Sequence, residues 1–181
     1  MPQSETLRNF FDELIERSFK QRLGLVDAEV TSYVSDLLTQ FNRTEHLYRI
    51  KNTEGKPLRE VGEMLLASNP IFEAASFDRE REVRKHLGDF TLFFAGLVPE
   101  ALNRWRLRRM NLDSLVDYVR AGKESYYVVS AFNQFEYKSM SGFFKKMSEQ
   151  FETCVFGLNL VKQELGEMQK ESYLRAGELL Q

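Results

Sequence analysis

The stretch MSGFFKKMSEQFETCVFGLNLVKQELGEM, residues 140–168, contains the most regular pattern in the chain. Apolar side chains recur in it at alternating intervals of four and three residues, and this period brings them to one face of an α-helix. We call this face the seam. It therefore predicts a long C-terminal helix that begins near Ser139 and continues almost to the end of the chain. The seam consists of Met140, Phe144, Met147, Phe151, Cys154, Leu158, Val161, Leu165 and Met168.

Helical periodicity also dominates the rest of the sequence, so the predicted fold class is all-α. Segment 44–57 has a mixed pattern with a Glu-Gly turn and a proline, which predicts a loop or a brief hairpin. We expect a single domain over residues 1–181, built as a bundle of six or seven helices. Upstream of the C-terminal helix, the predicted helices span residues 4–22 (ended by Gly24), 28–41 (capped by Asp27), 58–68 (Pro57 in its first turn), 77–96, 99–105 and 112–135 (capped by Asn111 or Asp113).

The composition is that of a globular protein. The 181 residues are 43% hydrophobic and 29% charged, and the formal net charge of -2 provides no general attraction to nucleic acid or to anionic lipid. One cysteine and two histidines exclude an intrachain disulfide and the usual four-ligand zinc sites. The N-terminal residues do not resemble a secretory signal. We therefore expect a cytoplasmic protein with no cofactor, no nucleic-acid partner and no integral membrane association.

A second stretch, HLGDFTLFFAGLVPE at residues 86–100, combines an apolar helix face with a polar edge. At 100° per residue, Glu82, His86 and Asp89 lie side by side along this edge. A carboxylate and an imidazole at this spacing are able to share a metal ion or to carry out acid-base chemistry. The chain contains no Glu-x-x-His motif, however, so a histidine that only fixes helix packing is the simpler interpretation. His46 in the 44–57 segment would strengthen the metal hypothesis if it approached His86.

Phenylalanine is abundant, with fifteen residues, and several of them form adjacent pairs. Neighbours on a helix point about 100° apart, so one ring of each pair has to meet another helix, a partner or a cavity. A Phe-rich bundle is able to enclose an apolar cavity, which predicts a binding site for a fatty-acyl or lipid-like molecule. We expect the cavity wall to include Phe90, Phe93, Phe94 and Leu97, and its polar end to include His86, Tyr126 or Tyr127.

Two further features have mainly structural interpretations. The run NRWRLRRM places four arginines, Arg104 to Arg109, around the only tryptophan, which suits phosphate binding but is more often a solvated helix end. Cys154 lies inside the seam, where it is expected to be a small buried hydrophobe rather than a nucleophile.

The chain resembles a group of bacterial all-helical proteins of uncharacterised function. The resemblance is carried by EREVRKHLGDFTLFFAGLVPE at residues 80–100, LYRI at 47–50 and VRAGKESYYVVS at 119–130, and it covers about residues 23–135. Some members of that group have been provisionally described as lipid-binding proteins. The resemblance implies a helical fold and an apolar ligand, and it brings no catalytic residues.

Three functional hypotheses follow, in order of preference. The first is non-enzymatic binding of an apolar or amphiphilic small molecule between helices. The second is a protein-interaction module that forms a homodimer, or binds another protein, through the seam. The third is a metal-dependent enzyme that uses Glu82, His86 and Asp89.

Overall fold

The computed structural model describes residues 2–71, 74, 76–100, 115–132 and 138–179. These residues form an all-α bundle with a long C-terminal helix, which confirms the predicted fold class. No strand occurs among them. The helices are α1 (Pro2–Ile15), continued by a π-helix (Glu16–Arg22), α2 (Ala28–Phe41), α3 (Thr44–Leu47), α4 (Val61–Ala67), α5 (Phe77–Leu97), α6 (Leu115–Ala131), α7 (Lys138–Glu149) and α8 (Phe151–Leu179).

The first helix changes its winding at Glu16, where the sequence predicts continuous α-helix to Arg22. The π-helical turns bury both Ser18 and Phe19. The Phe19 ring lies against Gly157 of α8, where a Cβ atom would come within 2.5 Å of the ring. Arg17 Nε also donates to Glu164 of α8 over 3.0 Å. The wider turn thus docks the N-terminal helix onto α8, and Gly24, with a φ of 74°, ends it as predicted.

The segment between α2 and α4 forms a brief hairpin, one of the two predicted alternatives, after a short helix. It contains the short helix α3 and a single antiparallel bridge between Lys51 and Pro57. The Leu58 N–H donates to the Ile50 carbonyl over 2.8 Å, which keeps the chain extended. As a result, α4 begins at Val61 rather than at residue 58, and Pro57 belongs to the bridge instead of the first helical turn.

The seam is divided between two helices. A turn at Gln150 separates α7 from α8, so the predicted single helix is broken there. Six consecutive seam residues are buried by the chain's own helices, whereas Met140 and Met168 at the two ends are exposed. The centre of the seam is therefore part of the intramolecular core, and the predicted dimer through the seam stays a prediction. The buried members are Phe144, Met147, Phe151, Cys154, Leu158 and Val161.

Helix α5 is the axis of the bundle and packs closely on α6 and α8. Three glycines permit this approach, because a Cβ atom at each would come within 2.6 Å of a side chain on the neighbouring helix. Gly88 faces the Tyr126 ring, Gly122 faces Phe151 and Thr91, and Gly96 faces Leu158. Helices α5 and α6 are antiparallel, since Gly88 lies opposite Tyr126 while Thr91 lies opposite Gly122.

Several predictions fall on residues that the structure does not describe. These are the helix from Pro99 to Trp105 beyond Glu100, the caps Asn111 and Asp113, and the Arg104 to Arg109 run. Within the described ranges, no helix has both the length and the apolar composition needed to cross a bilayer.

Candidate functional site: a charged cleft above a buried carboxylate

An open cleft of about 600 Å³ lies along the N-terminal half of α5. We call it the α5 cleft. Helix α5 and its N-cap supply most of its lining, and α2, the segment after α3, and α7 supply the rest. Among the described residues, four basic and two acidic side chains line it, so these side chains carry a formal charge of +2. The lining residues are Tyr33, Arg49, Ser76, Asp78, Arg79, Arg81, Glu82, Lys85, Met140 and Phe144.

The carboxylate of Asp89 lies beneath this cleft and is almost completely buried, with 2% of the residue exposed. Its Oδ1 accepts hydrogen bonds from the Tyr33 hydroxyl at 2.5 Å and the Tyr126 hydroxyl at 2.8 Å. Its Oδ2 accepts from Lys85 Nζ at 2.7 Å. Three donors therefore compensate the buried carboxylate, and two of them, Tyr33 and Lys85, belong to the cleft lining.

Both tyrosines keep their protons in this network. Burial raises the pKa of Tyr33 and of Tyr126 well above the usual value, and the nearby charge of Asp89 raises both further. Each hydroxyl is therefore a permanent donor to Asp89. Gly88 makes the Tyr126 contact possible, because any side chain there would collide with the ring as it crosses α5.

His86 forms a second buried polar link next to the cleft. Its Nδ1 accepts from Arg49 Nε at 3.2 Å, and its Nε2 lies 3.1 Å from the Leu47 carbonyl. An Nδ1 that accepts and an Nε2 that donates define the neutral imidazole. Burial lowers the pKa of His86 to about 4. The positive charges of Arg49 and Lys85 also lower this pKa, whereas the negative charge of Asp89 raises it. The neutral imidazole therefore holds Arg49 in position through a hydrogen bond.

The low pKa of His86 predicts a component of stability that depends on pH. The unfolded histidine has a pKa of about 6.5, so the unfolded chain takes up this proton first as the pH falls. The stabilisation is complete above that value and is lost as the pH falls toward 4. Between pH 7 and pH 5 we expect His86 to account for a loss of about 2 kcal/mol in the free energy of unfolding.

Urea denaturation of wild type and His86→Gln at pH 7, 6 and 5 measures this component. Glutamine offers an acceptor to Arg49 and a donor to Leu47 but does not titrate in this range. His46 and all carboxylates are common to the two proteins, so the difference between them isolates His86. Parallel pH profiles for the two proteins would contradict the prediction.

The basic side chains of α5 are held above aromatic rings at the cleft. Lys85 Nζ lies 5.2 Å from the centroid of the Tyr33 ring, and the Arg81 guanidinium lies 5.9 Å from that of Phe144. The Tyr33 and Phe144 rings meet edge to face at 6.0 Å. A basic rim on an aromatic floor suits a ligand that has both a negative and an apolar part.

The predicted Phe-rich wall occupies a different position. Phe90 and Phe94 are buried, with ring centroids 4.6 Å apart, and Phe90 also contacts Tyr48 and Tyr118. Phe93 is half-buried against Phe41 of α2, and Leu97 is half-buried. None of these four predicted wall residues lines the α5 cleft.

The residues of the predicted polar end lie at different places relative to the cleft. His86 and Tyr126 lie in the two buried networks that contact cleft residues. Tyr127 does not join them, because its side chain points outward and is 63% exposed. Adjacent positions on α6 point about 100° apart, so only one of these two tyrosines reaches Asp89.

The three residues of the metal hypothesis do not form a shared ligand set. Glu82 pairs with Arg79 at 3.1 Å, while both His86 nitrogens and both Asp89 oxygens already have protein partners. His46 lies near Glu45, with 3.9 Å between Nε2 and the carboxylate. Within the described ranges, no group of three or more His, Cys, Asp or Glu side chains is arranged to hold a metal ion.

Sequence reasoning missed Tyr33, Arg49 and Lys85. Tyr33 lies beside the buried apolar residues Val30 and Val34 of α2, and its polar role depends on α5 being its neighbour. Lys85 had a local signal, since it precedes Asp89 by four residues on the same helix. Arg49 had none, because the chain between α3 and α4 has no regular period that would place it beside His86.

Cys154 is buried in the seam as predicted. Burial raises the pKa of its thiol to about 12, and the charge of Asp27 adds to the effect. The thiol therefore remains protonated and is a poor nucleophile.

Comparisons with models of known protein families, with curated proteins and with solved structures find no match. The resemblance to provisionally described lipid-binding proteins therefore stays a prediction.

Proposed function

We propose that this protein binds a small anionic amphiphile in the α5 cleft and does not transform it chemically. The observation that carries this proposal is the pairing of Lys85 and Arg81 with the rings of Tyr33 and Phe144 along the cleft. The basic groups suit the negative end of a ligand, and the rings with Met140 suit its apolar end.

The size and openness of the cleft favour a short ligand. Its volume of about 600 Å³ lies within the usual range of small-molecule sites. Of the lining residues that the structure describes, only Tyr33, Met140 and Phe144 offer large apolar surfaces, which is little for a long acyl chain. Each buried methylene contributes about 0.8 kcal/mol, so an eight-carbon chain is a reasonable first probe.

The hydrogen bonds that Asp89 and His86 already make favour binding over acid-base catalysis. Asp89 already accepts three hydrogen bonds, and both nitrogens of His86 are engaged. A carboxylate or imidazole that moves protons needs an atom that can reach the substrate. Asp89 therefore holds Lys85 and Tyr33 in place, and His86 holds Arg49.

Calorimetric titration of the protein with octanoate, octylamine and octanol tests the proposal. We expect saturable binding of octanoate and much weaker binding of the cationic and neutral molecules. Lys85→Met keeps the apolar stem and removes the charge, which should lower the affinity for octanoate about tenfold or more. Arg81→Met removes a cation without disturbing Asp89 and should act in the same direction.

Lys123→Met is the matched control, because Lys123 pairs with Glu152 at 2.7 Å and does not line the cleft. It should leave the affinity for octanoate unchanged. Absence of saturable binding of both octanoate and a second anionic amphiphile, octyl phosphate, by the folded wild-type protein would contradict the proposed function. Equal losses in the Lys85 and Lys123 variants would show that the binding is not located in this cleft.

A further inference from the structure

We infer that Arg49 is the head-group receptor of the α5 cleft, that the ligand is a monoanionic carboxylate, and that His86 is the positioning residue for Arg49. This inference rests on the proposed function and specifies its ligand. Arg49 lines the cleft and is fixed through Nε on His86 Nδ1. In the part of the chain that the structure describes, its terminal nitrogens Nη1 and Nη2 have no hydrogen-bond partner.

His86 holds the guanidinium in a defined position. The imidazole is packed between Phe41 and Phe90, with ring centroids 5.7 and 6.2 Å away. One nitrogen is engaged with the Leu47 carbonyl, and the other accepts from Arg49, two residues further along. The same ring therefore fixes both the backbone before Arg49 and the Arg49 side chain. A guanidinium anchored in this way loses little freedom when it binds a ligand.

The geometry of the Arg49 guanidinium favours a carboxylate as the ligand group. The two terminal nitrogens of an arginine match the two oxygens of a carboxylate in a pair of parallel hydrogen bonds. Lys85 lies in the same lining and adds a second positive charge.

The charge of the site favours a monoanion over a dianion. Asp78 and Glu82 are part of the lining, and Asp89 lies directly below it. Among the described residues, the four basic side chains of the lining and these three carboxylates together carry a formal charge of +1. A carboxylate neutralises this charge, whereas a phosphate monoester, which carries nearly two negative charges at neutral pH, leaves an excess of negative charge in the cleft.

The test compares octanoate with octyl phosphate in one calorimetric series. We expect the wild-type protein to prefer octanoate. Arg49→Lys retains the charge and removes the fork, so the affinity for octanoate should fall about tenfold and the preference over octyl phosphate should narrow. Arg59→Lys is the control, since Arg59 lies above Tyr48 outside the cleft lining. It should change neither value.

The positioning role of His86 is tested through the ratio of the affinity for octanoate to the affinity for octyl phosphate. A ratio measured on one sample is independent of the fraction of molecules that are folded, so it separates positioning from stability. His86→Gln keeps both hydrogen-bonding functions and should retain the preference for octanoate. His86→Leu removes them and should narrow the preference as Arg49→Lys does.

The outcomes separate the inference from the proposed function. If wild type binds octanoate and Lys85→Met weakens it, but Arg49→Lys leaves affinity and preference unchanged, the inference is wrong and the proposed function stands. A wild-type preference for octyl phosphate would also overturn the inference alone. If neither probe binds, the proposed function fails and the inference fails with it.

Discussion

Asp89→Ala is expected to lower the free energy of unfolding by about 3 kcal/mol. The substitution removes the acceptor of three hydrogen bonds, and it leaves the fully buried Tyr126 hydroxyl with only the half-buried Tyr33 hydroxyl as a partner. Each unsatisfied buried donor costs about 1 to 3 kcal/mol. Relief from burying the carboxylate offsets part of that loss, and Lys85 is exposed enough to turn toward water. Urea denaturation at neutral pH measures the change.

Asp12→Ala is the control for this experiment. Asp12 also pairs with a basic residue four positions away, Arg8 at 2.9 Å, but the pair lies on the surface. Such pairs contribute about 0.5 kcal/mol or less. Asp89→Asn, which keeps one oxygen for the tyrosines, should fall between the two. An Asp89→Ala protein as stable as the Asp12→Ala protein would refute the view that Asp89 organises the cleft floor.

Gly122→Ala is expected to destabilise the protein by about 2 kcal/mol, although alanine is the better helix former. A Cβ atom at this position would lie 2.2 Å from Phe151 Cζ and 2.3 Å from Thr91 Oγ. Both groups are buried, so α5, α6 or α8 has to shift. The thermal midpoint and the urea midpoint should both fall.

Gly142→Ala is the control for this experiment, and it is expected to raise stability instead of lowering it. Gly142 lies within α7, and no atom lies within 4 Å of the position its Cβ would take. Alanine there should raise stability by about 0.5 to 1 kcal/mol through helix propensity alone. If the two substitutions changed stability in the same direction, close packing at Gly122 would not be the reason for its glycine.

The helices that sequence predicted best are those with local start and stop signals. Asp27 accepts from the N–H groups of Glu29 and Val30, and Ser76 accepts from Arg79, so α2 and α5 begin at the expected residues. The break at Gln150 had no such signal, because the apolar spacing continues through it without a glycine or proline. The break lies between a helix that packs on α6, where Ser148 of α7 donates to the Lys123 carbonyl over 2.8 Å, and a helix that packs on α5.

The adjacent phenylalanine pairs also separate what helix geometry predicts from what tertiary packing decides. Helical geometry predicts that the two rings of a pair face different neighbours, but the Phe143 and Phe144 rings both pack against Tyr33, at 4.9 and 6.0 Å, and against each other at 5.3 Å. The identity of the shared neighbour depends on α2 lying beside α7. The predicted ligand wall along α5 includes Phe90, Phe93 and Phe94 and stays a prediction. Their rings contact each other and the rings of neighbouring elements.

By itself, the sequence determined the all-α class, the long C-terminal helix, the apolar faces and the polar edge of α5, because each depends on interactions between residues a few positions apart. Only the tertiary structure decided that Tyr33, Arg49 and Tyr126 meet that edge from three other parts of the chain. Contacts over 56, 37 and 37 residues of separation are set by how helices pack. Periodicity identifies which side of a helix is buried, but it carries no information about which residues the other elements bring to that side.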